Sequence, residues 1–175
     1  MKILTKQQLT ALRDIITPDN LQFVDENTRK ALDELINDDE NIYAVSLFID
    51  GAADLHTKTA GIGGVFLGEN NIELYRFSEY LDDATNNEAE YSALIRGLEL
   101  GIELNIRKIK IYADSELVVK QVNGEYKVKH ERMKPLHQKT IVLLRQYSNW
   151  SLQHLARDDI TIADRLSKEG RKLGR

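Results

Sequence analysis

Four carboxylates stand where secondary-structure elements should meet: Asp50 ahead of Gly51 in "FIDGA", Glu90 in "TNNEAEYSAL", Asp114 in "IYADSEL" and Asp164 in "ITIADRL". Acids gathered without a counter-charge repel, so such a cluster either takes up protons or binds divalent cations. The chain has no cysteine and only four histidines. Thiolate sites are excluded, and an all-oxygen ligand set favours Mg²⁺ or Mn²⁺ over zinc. Two such ions about 3.5–4 Å apart clamp the attacking and leaving oxygens of a phosphoryl displacement, which makes the set nuclease-like. Taken singly, each acid has a plainer reading: turn residue or cap for Asp50 and Asp114, a partner for the helix dipole for Asp164, a surface residue for Glu90.

The elements must bring these acids together. "YAVSLFID" alternates Val45, Leu47 and Ile49 with Ala44, Ser46 and Phe48, all mildly apolar, and predicts a strand covered on both sides and ending at Asp50. "GIGGVFLG" and "NIELYRFSEYL" predict two further strands joined through "GENN". A long helix over about 86–104 follows, then the strand "KIKIYAD", a helix from Ser115 to Gly124, a helix around 131–147, the strand "NWSLQHLA" and a last helix from Thr161. This order predicts an antiparallel meander followed by right-handed crossovers onto a mixed sheet. In open α/β sheets the carboxyl ends of strands and the helix starts beyond them form the ligand crevice, where all four acids would lie.

The long helix poses a sharper question, because Glu88 and Glu90 are about 200° apart around its axis. Glu90 shares a face with Leu94, Gly97 and Gly101, whose small residues would let that face approach the sheet. Glu90 is therefore expected to point to the acids, and Glu88 outward to solvent or the substrate rim.

Residues 1–40 predict two short helices: "TKQQLTALRDII" with a Thr5-x-x-Gln8 capping box and Leu9, Leu12 and Ile16 on one stripe, then, after a break at "TPDN", "ENTRKALDELI" with Asn27 as cap and Ala31, Leu32, Leu35 and Ile36 as its stripe. Residues 37–41 read as a linker. Residues 1–40 hold five Lys/Arg against nine Asp/Glu, whereas residues 41–175 hold 19 of each, and within them residues 107–139 hold nine basic against four acidic. A broadly basic nucleic-acid coat is thus excluded, but a local footprint for phosphates is not. The first 20 residues lack an apolar signal core and no run approaches membrane-spanning length, so a cytoplasmic protein with no membrane partner is expected.

The blocks "IDGAA", "AGIGGV", "TNNEAEYSALIRGLELG", "YADSELVVKQVNGEYKV" and "HLARDDITIADRLS" resemble, in order and spacing over roughly residues 42–173, type 1 ribonuclease H. The likeness is to the short bacterial and archaeal branch and to the reverse-transcriptase-associated domain. It implies an α/β ribonuclease H-like fold: a five-stranded mixed sheet (βββαβαβα) with helices on both faces in residues 41–175, plus the helical extension 1–40. It also implies that Asp50, Glu90, Asp114 and Asp164 are catalytic and bind two Mg²⁺ (or Mn²⁺) ions, Asp50 bridging both. Asp114 and Glu90 would share one ion, and Asp164 would hold the other beside the attacking water. The implied activity is endonucleolytic hydrolysis of the RNA strand of RNA/DNA hybrids, leaving 5′-phosphate and 3′-hydroxyl ends.

Substrate contacts implied by the resemblance fall on Gly51, Thr85, Asn86, Asn87 and Ser115, with Asn87 the better of the two asparagines, and on Lys127 and Lys129 with Arg132 and Lys134 along the DNA backbone. His154 and Arg157 are auxiliary candidates; His130 and His137 are expected to be solvated. His56, Thr57 and Lys58 replace the family's Asn-Pro-Gly turn, and Lys58 there could meet phosphate. Two other readings stay open: a nuclease that also cuts double-stranded RNA, and a non-catalytic nucleic-acid-binding module, which would gain nothing from buried like charges. The acidic extension 1–40 would pack on the catalytic domain or meet a protein partner.

Overall fold

Val45, Leu47 and Ile49 are buried while Ser46 and Phe48 between them are half-buried. Strand β1 (Val45–Asp54) is therefore covered fully on one face and partly on the other. In the computed structural model, which describes residues 6–16, 20, 23–37, 45–54 and 56–174, β1 is the middle of a five-stranded sheet ordered β3-β2-β1-β4-β5. Strands β2 (Thr59–Leu67) and β3 (Glu73–Asp82) continue it as an antiparallel meander, and β4 (Lys108–Ala113) and β5 (Asn149–His154) add on in parallel. The expected mixed sheet and βββαβαβα order are present, and the further helix expected around 131–147 stands between the helix after β4 and strand β5.

Helix α3 (Asn86–Glu103) lies on the face that carries Leu47 and Ile49, both of which meet Gly97. Helix α6 (Thr161–Lys172) covers the opposite face of β1, β2 and β3. Gly63, cross-strand partner of Asp50, has no room for a side chain because the α6 backbone at Ser167 occupies that space. Helices α4 (Glu116–Val122) and α5 (Met133–Leu144) complete the layer around α3. Gly101 makes room for the Tyr147 hydroxyl, which donates to the Leu98 carbonyl at 2.6 Å, and also faces the Phe66 ring of β2.

Strand β1 does not end at Asp50. It runs four residues further, paired with β2 down to Asp54 and Thr59, but its pairing with β4 stops at Ile49 and Ala113. Asp50 is thus the first residue beyond the parallel half of the sheet, and the crevice opens there although the strand continues. The hairpin closes at His56, Thr57 and Lys58. The Asp54 carboxylate accepts from the His56 and Thr57 amides at 3.0 and 3.4 Å, and Lys58 takes the left-handed position at φ 51°. At about 3.3 Å per residue, that turn stands roughly 13 Å beyond Asp50.

In the amino-terminal part, α1 (Lys6–Ile15) touches α2 (Glu26–Asn37) and α3. Asp25, not Asn27, caps α2, accepting from the Asn27 and Thr28 amides at 3.1 and 3.0 Å. The expected Thr5 cap, Ala44, and most of the "TPDN" break and the 37–41 linker lie outside the described residues, as do the side chains of Leu9, Ala31, Leu35 and Ile36. No described helix is long and apolar enough to cross a membrane.

Candidate active site

Three of the four acids converge. Oxygens of Asp50, Glu90 and Asp114 lie within 4.8 Å of one another. Asp50 is delivered by β1, Glu90 by the second turn of α3, and Asp114 by the residue after β4. Gly51 makes the approach possible, since any side chain there would land on the backbone of Ala89 and Glu90, and its N–H donates to the Glu90 carboxylate. Asn86 fastens the same helix start to the strand, its Oδ1 accepting from the Ala53 amide at 3.3 Å. Its partner Asn87 is exposed.

The three acids are costly neighbours. Asp50 and Glu90 are 1% and 4% exposed, and Asp50 Oδ1 and Glu90 Oε2 are buried without a hydrogen-bond partner. Burial pushes the Glu90 carboxyl up to about 9, with the Asp50 and Asp114 charges adding to it. Asp50 is raised chiefly by burial as well, a shift that the Ser167 hydroxyl opposes by donating to Oδ2 and that the Asp114 and Asp164 charges reinforce. Protons or cations must supply what the protein withholds.

Asp164 stands just outside this group. Burial would raise its carboxyl, but Lys168 at 2.7 Å and Arg157 at 2.6 Å outweigh that and hold it below the usual range. Arg157 also reaches towards Asp114, at 3.9 Å. One helical turn after Asp164, Ser167 bonds both Asp50 and the Asp164 carbonyl. Ser167 escaped sequence reasoning; its signal was the i+3 spacing from Asp164, which puts both on one face of α6.

Ser115 caps α4, its hydroxyl accepting from the Val118 amide at 3.4 Å. His154 is exposed, with Nε2 3.1 Å from the Asp114 carbonyl. Lys127 and Lys129 are exposed on either side of Val128, which packs against the core. Two expectations fail. His137 is not solvated: it is half-buried, packs edge-on against Tyr91, and lies 3.3 Å from the Gln121 carbonyl. Glu88 does not face solvent either. It folds back to complete a capping box with Thr85, and its other oxygen pairs with Arg132 at 2.7 Å. The capping geometry bends its side chain back along the helix start, so the 200° separation from Glu90 did not decide its exposure. These bonds outweigh burial and keep its carboxyl low.

The reverse transcriptase-like family matches residues 48–170, a span that contains all four acids. The chain belongs to the type 1 ribonuclease H family. It is 30% identical to ribonuclease HI of Halobacterium salinarum over 125 residues, 71% of this chain and 63% of that one. It is 32% identical over 121 residues to a bifunctional protein of Mycobacterium tuberculosis, covering 69% of this chain and 33% of that protein. The chain therefore spans less than two thirds of either relative. Among solved structures, LC11 ribonuclease H1 in complex with an RNA/DNA hybrid superposes with a TM-score of 0.68 at 31% identity, covering 74% of this chain and 98% of that one.

Proposed function

We propose that this chain is an endoribonuclease that hydrolyses the RNA strand of RNA/DNA hybrids with two divalent metal ions. The observation that carries the proposal is the trio Asp50, Glu90 and Asp114, with two buried carboxylate oxygens lacking any partner. Orphaned anionic oxygens in an all-oxygen set suit Mg²⁺ or Mn²⁺. Asp50, Glu90 and Asp114 would hold one ion, and Asp50 with Asp164 the second. Bound ions would neutralise the phosphodiester and supply an activated water.

The remaining work falls to the protein's own groups. Ser167 fixes the Asp50 carboxylate, and the Gly51 amide holds Glu90. Arg157 and Lys168 keep Asp164 ionised and oriented. Asn87, on the exposed start of α3, carries a donor and an acceptor suited to a 2′-hydroxyl. Thr85 and Asn86 order the same turn, and Ser115 that of α4. Lys127 and Lys129 meet the phosphates of the DNA strand. His154, beside Asp114, assists proton transfer or product release. Water attacking the phosphorus would break the P–O3′ bond, so that the 3′-oxygen leaves and takes up a proton, giving 5′-phosphate and 3′-hydroxyl ends.

Residues 41–175 would carry this chemistry by themselves in the cytoplasm, with the acidic segment 1–40 packed on them or turned to a protein partner. The test is Mg²⁺-dependent cleavage of end-labelled hybrid, RNA duplex and DNA duplex side by side. Cutting confined to the RNA of the hybrid is the expected result. Equal cutting of RNA duplex would replace the stated specificity, and binding without cutting would overturn the enzyme.

A further inference from the structure

The Glu88 carboxylate joins two segments that are 44 residues apart in sequence. Its Oε2 accepts from the Thr85 amide and hydroxyl at 2.9 and 2.7 Å, and its Oε1 accepts from Arg132 Nε at 2.7 Å. The Glu88 side chain is 12% exposed, whereas that of Arg132 is 58% exposed. One carboxylate therefore serves as the end of the α3 capping box and as the anchor of the segment leading from α4 into α5.

That segment, residues 123–132, lacks helix or strand, so its shape depends on its fastenings. At one end the Glu125 and Tyr126 amides both donate to the Lys120 carbonyl, at 2.9 and 3.0 Å. The Lys120 ammonium bonds the Tyr126 hydroxyl at 3.3 Å. In the middle, Val128 sits against the core. At the other end Arg132, at the entry to α5, is held by Glu88. Lys127 and Lys129 project between these anchors.

We propose that Glu88 is a positioning residue. Through Arg132 it locks the lysine-bearing segment against the start of the helix that carries Asn87 and Glu90, so that the two present one preformed surface to the nucleic acid. The proposal rests on the hybrid-cleaving reading for its substrate. Ordering both segments before binding removes an entropic cost that a loose segment would meet on association. Loss of the clamp should weaken substrate capture and leave the chemical step alone. Helix capping by itself makes a different prediction, because a cap acts without Arg132.

Glu88→Gln separates the two roles: the amide oxygen can still accept from Thr85, but the charged pair with Arg132 is lost. The experiment measures kcat and KM on a labelled hybrid for the wild type, Glu88→Gln, Arg132→Gln and the double variant, together with amide hydrogen exchange of each without substrate. Expected is a rise in KM of about three- to fivefold for Glu88→Gln, the range of one partly exposed ion pair, with kcat unchanged. Arg132→Gln should show at least as large a rise, because it also removes a charge facing the DNA backbone. The double variant should be no worse than Arg132→Gln. Amides of residues 125–131 should exchange faster in Glu88→Gln while those of mid-α3 stay as in the wild type. KM effects that add in the double variant, a fall in kcat, or unaltered exchange in 125–131 would overturn the clamp. If the wild type cuts no hybrid, the functional reading fails, and the exchange arm still decides whether Glu88 holds the segment.

Discussion

Glu90 gives the most direct test of the site, and the test needs no substrate. Its carboxyl is pushed up from an ordinary 4.5 to about 9, first by burial and then by the Asp50 and Asp114 charges. Between these values the metal-free native chain holds a proton at Glu90 that the unfolded chain has released. Stability must then fall as pH rises, by about 1.4 kcal/mol per unit for one proton. The contribution is fully present below pH 4.5 and is lost progressively as pH climbs towards 9. Over pH 6 to 8 in chelator the loss from Glu90 alone is about 3 kcal/mol, or roughly 5–10 °C in Tm for a chain of this size. Asp50, raised in the same direction, adds to the decline where its own window overlaps.

The perturbation is Glu90→Gln, which is neutral at every pH and nearly the same shape. Urea unfolding at pH 6, 7 and 8 with EDTA should show a shallower decline than the wild type, by up to about 1.4 kcal/mol per unit, and a higher stability at pH 8. Adding Mg²⁺ at pH 8 should restore the wild type, because a cation then does the proton's work, and should help the variant far less. Wild-type stability that stays flat or rises from pH 6 to 8 in chelator would refute the reasoning. So would a variant that keeps the full wild-type slope.

Asp50→Asn or Asp114→Asn should abolish hybrid hydrolysis at saturating Mg²⁺ while stability in chelator holds or improves, since a repelling charge leaves the trio; normal turnover in either would remove that residue from the site. Ser167→Ala leaves Asp50 Oδ2 without its donor, so the Mg²⁺ concentration for half-maximal activity should shift by about tenfold, the equivalent of one buried hydrogen bond, as read by metal titration. Lys127→Gln with Lys129→Gln should flatten the dependence of log Kd on log salt by about 1–2, measured by binding of hybrid to the Asp50→Asn protein. Deleting residues 1–40 removes no site residue and should keep cleavage within about tenfold; a folded truncation that no longer cuts would show that those helices shape the active site or bind substrate.

The sheet and the acid trio were legible in the sequence because period and position carry them. Alternation in "VSLFI" marks a strand, glycine after Asp50 marks a close approach, and the i+4 and i+7 relation of Glu90 to Leu94 and Gly97 marks the buried stripe. What escaped were bonds between segments with no shared period. Glu88 looked outward because helical angle reports where a Cα stands, not where a glutamate folds back to cap its own helix, and nothing near position 88 names Arg132. His137 looked solvated because its partners, Tyr91 and the Gln121 carbonyl, come from two other helices. The end of β1 was misplaced for a related reason. Asp50 ends a pairing, that of β1 with β4, while the hairpin with β2 continues to Asp54, and a single strand's sequence records its own pattern but not which neighbour stops first. The same event that hid the strand's true end made the site: where β4 stops pairing with β1, Asp114 and Asp50 come free together, and Glu90 is carried in over the glycine that follows.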